Sequence, residues 1–290
     1  FHGGDFRLKG DFVPAPGWGP IPESQHTLAE ILDDGGWRTA LVSDLYHQFK
    51  PSKNFWRGFA QWTFIRGQED DPYRSGPEPT PAEVEHWCPP ALGMSGPQRL
   101  AFARRCIRNM HDRLREEDWF NAQVFREAAR WLEQNRDAER FFLVVECFDP
   151  HEPWFVPRHY RERYDPGEGP EQVFSPYQSV KQLPPVLLRR TRANYSGLVT
   201  MVDRWFGHFN DALGALGLRD STLVVVASDH GHSIGERGYM GKRGYRSAPE
   251  VVDVPLLVRH PEGRRAGEHT DLVVQHHDVA AFLLDAAGVR

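Results

Sequence analysis

Val224-Val225-Val226-Ala227-Ser228-Asp229-His230-Gly231 is an apolar run that ends abruptly in a hydroxyl, an acid, an imidazole and a glycine. With the residues just before it, the run reads as a buried strand from Thr222 to Ser228, the kind found in sheets covered by helices. The polar residues then fall just past its carboxyl end, where ligands bind in open α/β sheets. Side by side, Asp229 and His230 can both reach one divalent cation, and Gly231 permits the tight turn that follows. Taken alone, the pair also has a plainer reading, with Asp229 capping the turn and His230 making a surface hydrogen bond.

Working outward from this run, the same alternation of helix and strand patterns recurs, and it predicts a layered α/β sheet. Downstream, glycines at 235, 238, 241 and 244 mark a loop, Val254 to Val258 reads as a strand, and Asp278 N-caps a last helix that Gly288 stops after Ala287. Upstream, Thr27-Leu28-Ala29-Glu30 has the form of a capping box, its helix stops at Gly35-Gly36, and Thr39 to Val42 is a strand. An irregular proline-rich stretch is expected from Pro72 to Pro97. Two amphipathic helices follow, about Gln98 to Arg115 and Asp118 to Asn135, then a strand from Phe141 to Phe148 that ends in Asp149-Pro150-His151-Glu152-Pro153-Trp154. A second loop from Pro157 to Pro185 precedes a long helix reaching about Leu216, which returns the chain to the opening strand.

Composition bounds the partners. At 290 residues, with 40% hydrophobic and 26% charged side chains, the chain is globular rather than disordered or fibrous, and it is long enough for one large α/β domain. A formal net charge of -5 gives no global field for nucleic acid, so none is expected as a partner, and an anionic substrate must be captured locally. The longest apolar runs fall far short of the ~18 residues of a membrane span. Cys88, Cys106 and Cys147 form neither a disulfide framework nor a zinc module, which favours a reducing, cytoplasmic compartment. The opening Phe1-His2-Gly3-Gly4 is not a translation start, so the chain is expected to be a piece of a longer one and leaves localisation open.

Other motifs fail on inspection. Gly241-Lys242 is no phosphate-binding P-loop, since Glu236 and Arg243 stand at required positions. His151-Glu152 is no zinc-protease motif, because residue 155 is Phe. The arginine-rich helices are balanced by acids and read as solvated faces.

The sequence resembles the sulfatase branch of the alkaline phosphatase superfamily. Ser228-Asp229-His230-Gly231, Gly235-Glu236-Arg237-Gly238, Gly241-Lys242 and Asp253-Val254-Pro255-Leu256-Leu257-Val258-Arg259 are similar to that family's closing motif. Phe141-Phe142-Leu143 through Trp154 is similar to its central strand and histidine, and Thr27 to Leu32 with Gly36 to Ala40 to its first helix-strand repeat. The resemblance implies an α/β, alkaline-phosphatase-like three-layer sandwich with a central mixed, mainly parallel sheet. It implies one partial catalytic domain over residues 1–290, truncated at the N-terminus and missing a small C-terminal subdomain.

It also implies chemistry. Asp229 and His230 match the family's metal-binding pair, and His151 and Lys242 match the side chains that contact the anion and the leaving oxygen. The cofactors implied are one divalent ion, Ca²⁺ or Mn²⁺, with the imidazole of His230 favouring Mn²⁺, and a formylglycine made from Cys or Ser in a C/S-x-P-S/T-R motif upstream of this chain. Ser95-Gly96-Pro97-Gln98-Arg99 has the outline of that motif but reads better as a helix start. Asp44 stands where many sulfatases carry lysine, and with His47 it reads as a modified site or a polar loop. The implied substrate is a small-molecule or carbohydrate sulfate ester. The alternatives are a phosphonate monoester or phosphodiester hydrolase, and a noncatalytic fragment that binds metal or anion.

Overall fold

The computed structural model describes residues 20–49, 53–69, 71–89, 96–242 and 248–289. Thr27 opens helix α1 (Leu28–Asp34) as predicted: its hydroxyl accepts from the Glu30 amide at 3.1 Å, and its own amide donates to the Glu30 carboxylate at 2.7 Å. The chain turns at Gly35 and Gly36 into strand β1 (Arg38–Ser43), which is buried throughout after Arg38. Ala40 and Val42 point into the main core, whereas Thr39 on the alternate face bonds to Asp33 at the end of α1. Strand β1 therefore runs between two layers.

A short helix α2 (Tyr46–Phe49) and strand β2 (Gln61–Phe64) follow, then helices α3 (Pro81–Trp87), α4 (Pro97–Met110) and α5 (Phe120–Asn135), and strand β3 (Phe141–Glu146). Among the described residues β1 is central to a parallel sheet ordered β2-β1-β3, with Ala40 opposite both Gln61 and Leu143. Helix α3 corrects the expectation of an irregular stretch from Pro72 to Pro97. It starts with Thr80 and Glu83 in a second capping box and Pro81 in the first turn, signals that were legible but masked by the surrounding prolines. Helix α4 stops at Met110, short of Arg115, and begins at Pro97; Ser95 and Arg243 lie outside the described residues.

Helices α6 (Arg158–Arg161) and α7 (Pro185–Ala215) lead to strand β4 (Val224–Ala227), the hairpin strands β5 (Ser233–Ile234) and β6 (Met240–Gly241), helix α8 (Pro249–Val252), strand β7 (Leu256–Arg259) and helix α9 (His276–Ala287). Asp278 is not the N-cap of α9. Gln275 is, and Asp278 accepts its amide at 2.8 Å from the third helical position. The core lies where α5 and α7 cross, with Phe125, Leu132, Leu198, Met201 and Trp205 buried against Ala40 and Val42. At ~25 cal/mol per Å², this burial dominates the fold's stability.

Strands β4 and β7 pair antiparallel in a ladder of their own, Val225 opposite Val258. Among the described residues no backbone ladder joins β4 to β3, so each keeps an open edge. Leu257 on β7 is 62% exposed and Val273 beyond it is 92% exposed, so the apolar surface around this pair is largely uncovered.

Candidate active site

The carboxyl ends of β1, β3 and β4 carry the polar residues singled out in the sequence. Past β3 the chain turns back, the His151 amide donating to the Phe148 carbonyl at 2.8 Å, and the His151 ring stacks on Phe148 with centroids 4.0 Å apart. Nδ1 of His151 hydrogen-bonds to the backbone carbonyl of Glu152 and lies 3.5 Å from its Oε2. Lys242, directly after β6, places Nζ 3.3 Å from the same oxygen. His232, just ahead of β5, places Nδ1 3.5 Å from it and Nε2 3.0 Å from the Ser175 hydroxyl. The Tyr177 hydroxyl donates to the other oxygen, Oε1. The fold thus brings His151 and Lys242 to one carboxylate.

Two features hold this arrangement. Gly241 has φ +123, and a Cβ there would sit 2.7 Å from the Tyr177 ring, so only glycine lets β6 run close enough to deliver Lys242. Trp154 is fully buried, bonds through Nε1 to the Pro150 carbonyl at 2.9 Å and meets the His232 ring edge-on.

Charge follows from these contacts. Burial pushes the Glu152 carboxyl up, but His151, Lys242 and His232 together with the Tyr177 hydroxyl outweigh it and hold it at about 2. Burial lowers His232 to about 4 despite Glu152. Burial also lowers His151, with Lys242 adding to the effect and Glu152 and Glu69 opposing it.

Beneath the loop lies a pair of buried acids. Asp44 is fully buried and accepts from the Phe148 amide at 2.7 Å, while Gln68 bridges it to Asp149 at 3.3 and 3.0 Å and Asn121 caps Asp149 at 2.8 Å. Burial raises the Asp44 carboxyl well above its ordinary range, and the nearby Asp149 raises it further. Asp149 is itself raised to about 6 by burial, against its two amide donors. His47 pairs with Glu69 at 2.7 Å. Asp44 and His47 therefore do not form a solvated polar loop. The nonlocal pairing of β1 with β3 buries Asp44, a placement its local sequence does not reveal.

Asp229 and His230 sit at the end of β4, their side chains 75% and 40% exposed. Nε2 of His230 is 3.6 Å from Asp229 Oδ2, and its Nδ1 bonds to the Gly231 carbonyl at 2.9 Å. The Ser228 carbonyl before them is bonded by His276 of α9 at 2.7 Å. A carboxylate beside an imidazole suits a divalent ion of the Mn²⁺ or Ca²⁺ kind. Among the described residues no group of three or more ligating side chains is assembled. Asp229 also adds to the burial that raises Glu146 to about 7, and His230 acts electrostatically on His232. Glu152, His232 and Tyr177 were missed as site residues; only the adjacency of Glu152 to His151 was visible in sequence.

A sequence model of the Sulfatase family matches residues 4–289. The multifunctional alkaline phosphatase superfamily protein PehA of Trinickia caryophylli is 25% identical over 201 residues, covering 59% of this chain and 39% of that protein. Iduronate 2-sulfatase of Mus musculus is 28% identical over 172 residues, 50% of this chain and 31% of that protein. The phosphonate monoester hydrolase of Agrobacterium radiobacter superposes with a TM-score of 0.67 at 18% identity, covering 94% of this chain and 60% of that one. The chain spans less than half the length of these two curated relatives.

Proposed function

Because the chain belongs to the sulfatase family, we propose that it forms part of a metal-dependent hydrolase of sulfate esters, with a small-molecule or carbohydrate sulfate as substrate. The observation that supports this reading is the convergence of His151 and Lys242 on Glu152, which sets an imidazole and an ammonium beside one buried carboxylate. Lys242 offers positive charge where a tetrahedral anion gathers negative charge. His151 holds its Nδ1 against a carbonyl, leaving Nε2 to carry a proton toward a departing alkoxide. Asp229 and His230 would hold the divalent ion in part; when bound, such an ion polarises the ester oxygens and lowers the pKa of the attacking group. In this reading a formylglycine supplied by chain outside these 290 residues is the nucleophile. The uncovered apolar surface around β4 and β7 also supports further chain completing the unit.

Asp44 favours a second reading. A buried acid stands where many sulfatases carry a lysine, which removes one positive charge that would favour sulfate over a phosphonate monoester or phosphodiester. The test is turnover of 4-nitrophenyl sulfate and phenyl phosphonate by the intact protein loaded with Mn²⁺ or Ca²⁺. A higher kcat/KM on the sulfate is expected. A preference for the phosphonate selects the second reading, and sulfate binding without turnover selects a noncatalytic one.

A further inference from the structure

We propose that Glu152 is a positioning residue whose carboxylate, gripped by Tyr177 on one oxygen, fixes the His151 ring and the Lys242 ammonium in a single arrangement toward the pocket. The proposal deepens the hydrolase reading and rests on it only for its kinetic arm.

The geometry separates this carboxylate from an ordinary ion pair. Oε1 is committed to the Tyr177 hydroxyl. Oε2 is buried and has no conventional hydrogen bond, yet three nitrogens stand around it: Lys242 Nζ at 3.3 Å, and Nδ1 of His151 and of His232 at 3.5 Å each. One anion is thus shared among groups that would otherwise repel one another whenever two of them are charged. Removing it would leave Lys242 facing two imidazoles in a half-buried pocket.

The effect on His151 follows from its hydrogen bond. The Glu152 carbonyl can only accept, so Nδ1 carries the hydrogen and the ring presents Nε2 elsewhere. The groups that face the ring are Glu152, Lys242, Glu69, the His232 imidazole across the shared oxygen and the Phe148 ring that covers it. Of the charged ones, the two carboxylates support a second proton on the ring and Lys242 opposes it. With Glu152 neutral, Lys242 meets only the opposition of Glu69.

Ring-nitrogen NMR of the full-length protein tests this without any substrate. In the wild type, the neutral His151 ring should show its hydrogen on Nδ1; a hydrogen on Nε2 overturns the proposal. In Glu152→Gln the proton affinity of His151 should fall ~10-fold, a modest charge effect for a half-buried pair, and Glu152→Asp should restore most of it. An unchanged titration in a folded Glu152→Gln protein overturns the proposal. If that variant does not fold, the Glu152→Asp protein is titrated in its place, and a His151 proton affinity far below that of the wild type overturns the proposal.

The kinetic arm compares an alkyl sulfate, whose alkoxide needs a proton, with 4-nitrophenyl sulfate, whose phenolate does not. Glu152→Gln should lower the alkyl-to-nitrophenyl ratio of kcat ~10-fold, within the range of general-acid effects. An equal loss on both substrates marks general damage and counts against a positioning role. Absence of turnover in the wild type would defeat the sulfatase reading while the NMR result still stood.

Discussion

Asp44 and Asp149 are acids held together out of water, and their linkage to pH has a defined sign. Both carboxyls are raised above their ordinary value near 3.8, Asp149 to about 6 and Asp44 well above that ordinary value, so the folded protein keeps protons that the unfolded chain has released. Stability from this pair is therefore full below about pH 4 and declines as pH rises through 6. Glu152 works in the opposite sense: held at about 2, it contributes above its ordinary range near 4.5 and loses that contribution as pH falls toward 2. Asp44→Asn keeps an oxygen for the Phe148 amide and removes the like-charge repulsion. The Tm of this variant should decline less between pH 4 and 7, ending roughly 5 °C above the wild type at pH 7; calorimetry across that range checks it. At the pocket edge, Lys242→Ala should cost ~10²-fold in kcat/KM on whichever ester is turned over, measured by steady-state assay of the metal-loaded intact protein. Asp44 was legible in sequence as a departure from the family pattern. That it would lie against Asp149 was not, because the contact depends on which strands become neighbours.

Elements show how the backbone sets the site. Gly238 and Gly241 both have positive φ, 75 and 123, but a Cβ at Gly238 meets open space while one at Gly241 meets Tyr177 at 2.7 Å. Gly238→Ala should therefore cost only about 1 kcal/mol of backbone strain. Gly241→Ala should cost roughly 1–3 kcal/mol more through crowding, and it should lower activity as well by displacing the Glu152 partner. Urea titration of the two variants side by side separates the terms. Most helices and strands were legible because their periodicity and caps are local. The apolar runs at Val224 and Phe141 gave β4 and β3, and the Thr27 box gave α1. Strand β2 was not, since Gln61-Trp62-Thr63-Phe64 is short and its register is set by β1. The ends of α4 and β7 shifted by a few residues, where tertiary contacts rather than propensity stop an element.

At the scale of the whole molecule, covering is uneven. The α5–α7 core is buried, whereas β4 shows three half-buried valines and an exposed alanine, and the apolar residues of β7 face out. If further chain of the same protein covers this surface, amides of β4 and β7 should exchange with solvent at least ~10-fold more slowly in the full-length protein than in the 290-residue chain, while those of α5 should not change. Hydrogen exchange with mass spectrometry reads this directly, and equal rates in both would remove the proposal that more chain completes the unit. The family was legible from the motifs alone. The carboxylate that unites His151 and Lys242 was not, because proximity of Glu152 to Lys242 exists only after the hairpin has folded back.

The bond from His276 to the Ser228 carbonyl ties the first turn of α9 to the strand end just before Asp229. The last helix thereby acts as a stay on the acid-imidazole pair: loosen it, and the two donors gain freedom that a captured cation must then take away again. If the pair holds the divalent ion proposed above, its affinity is thus set in part by a helix anchored to the strand rather than to the pair itself.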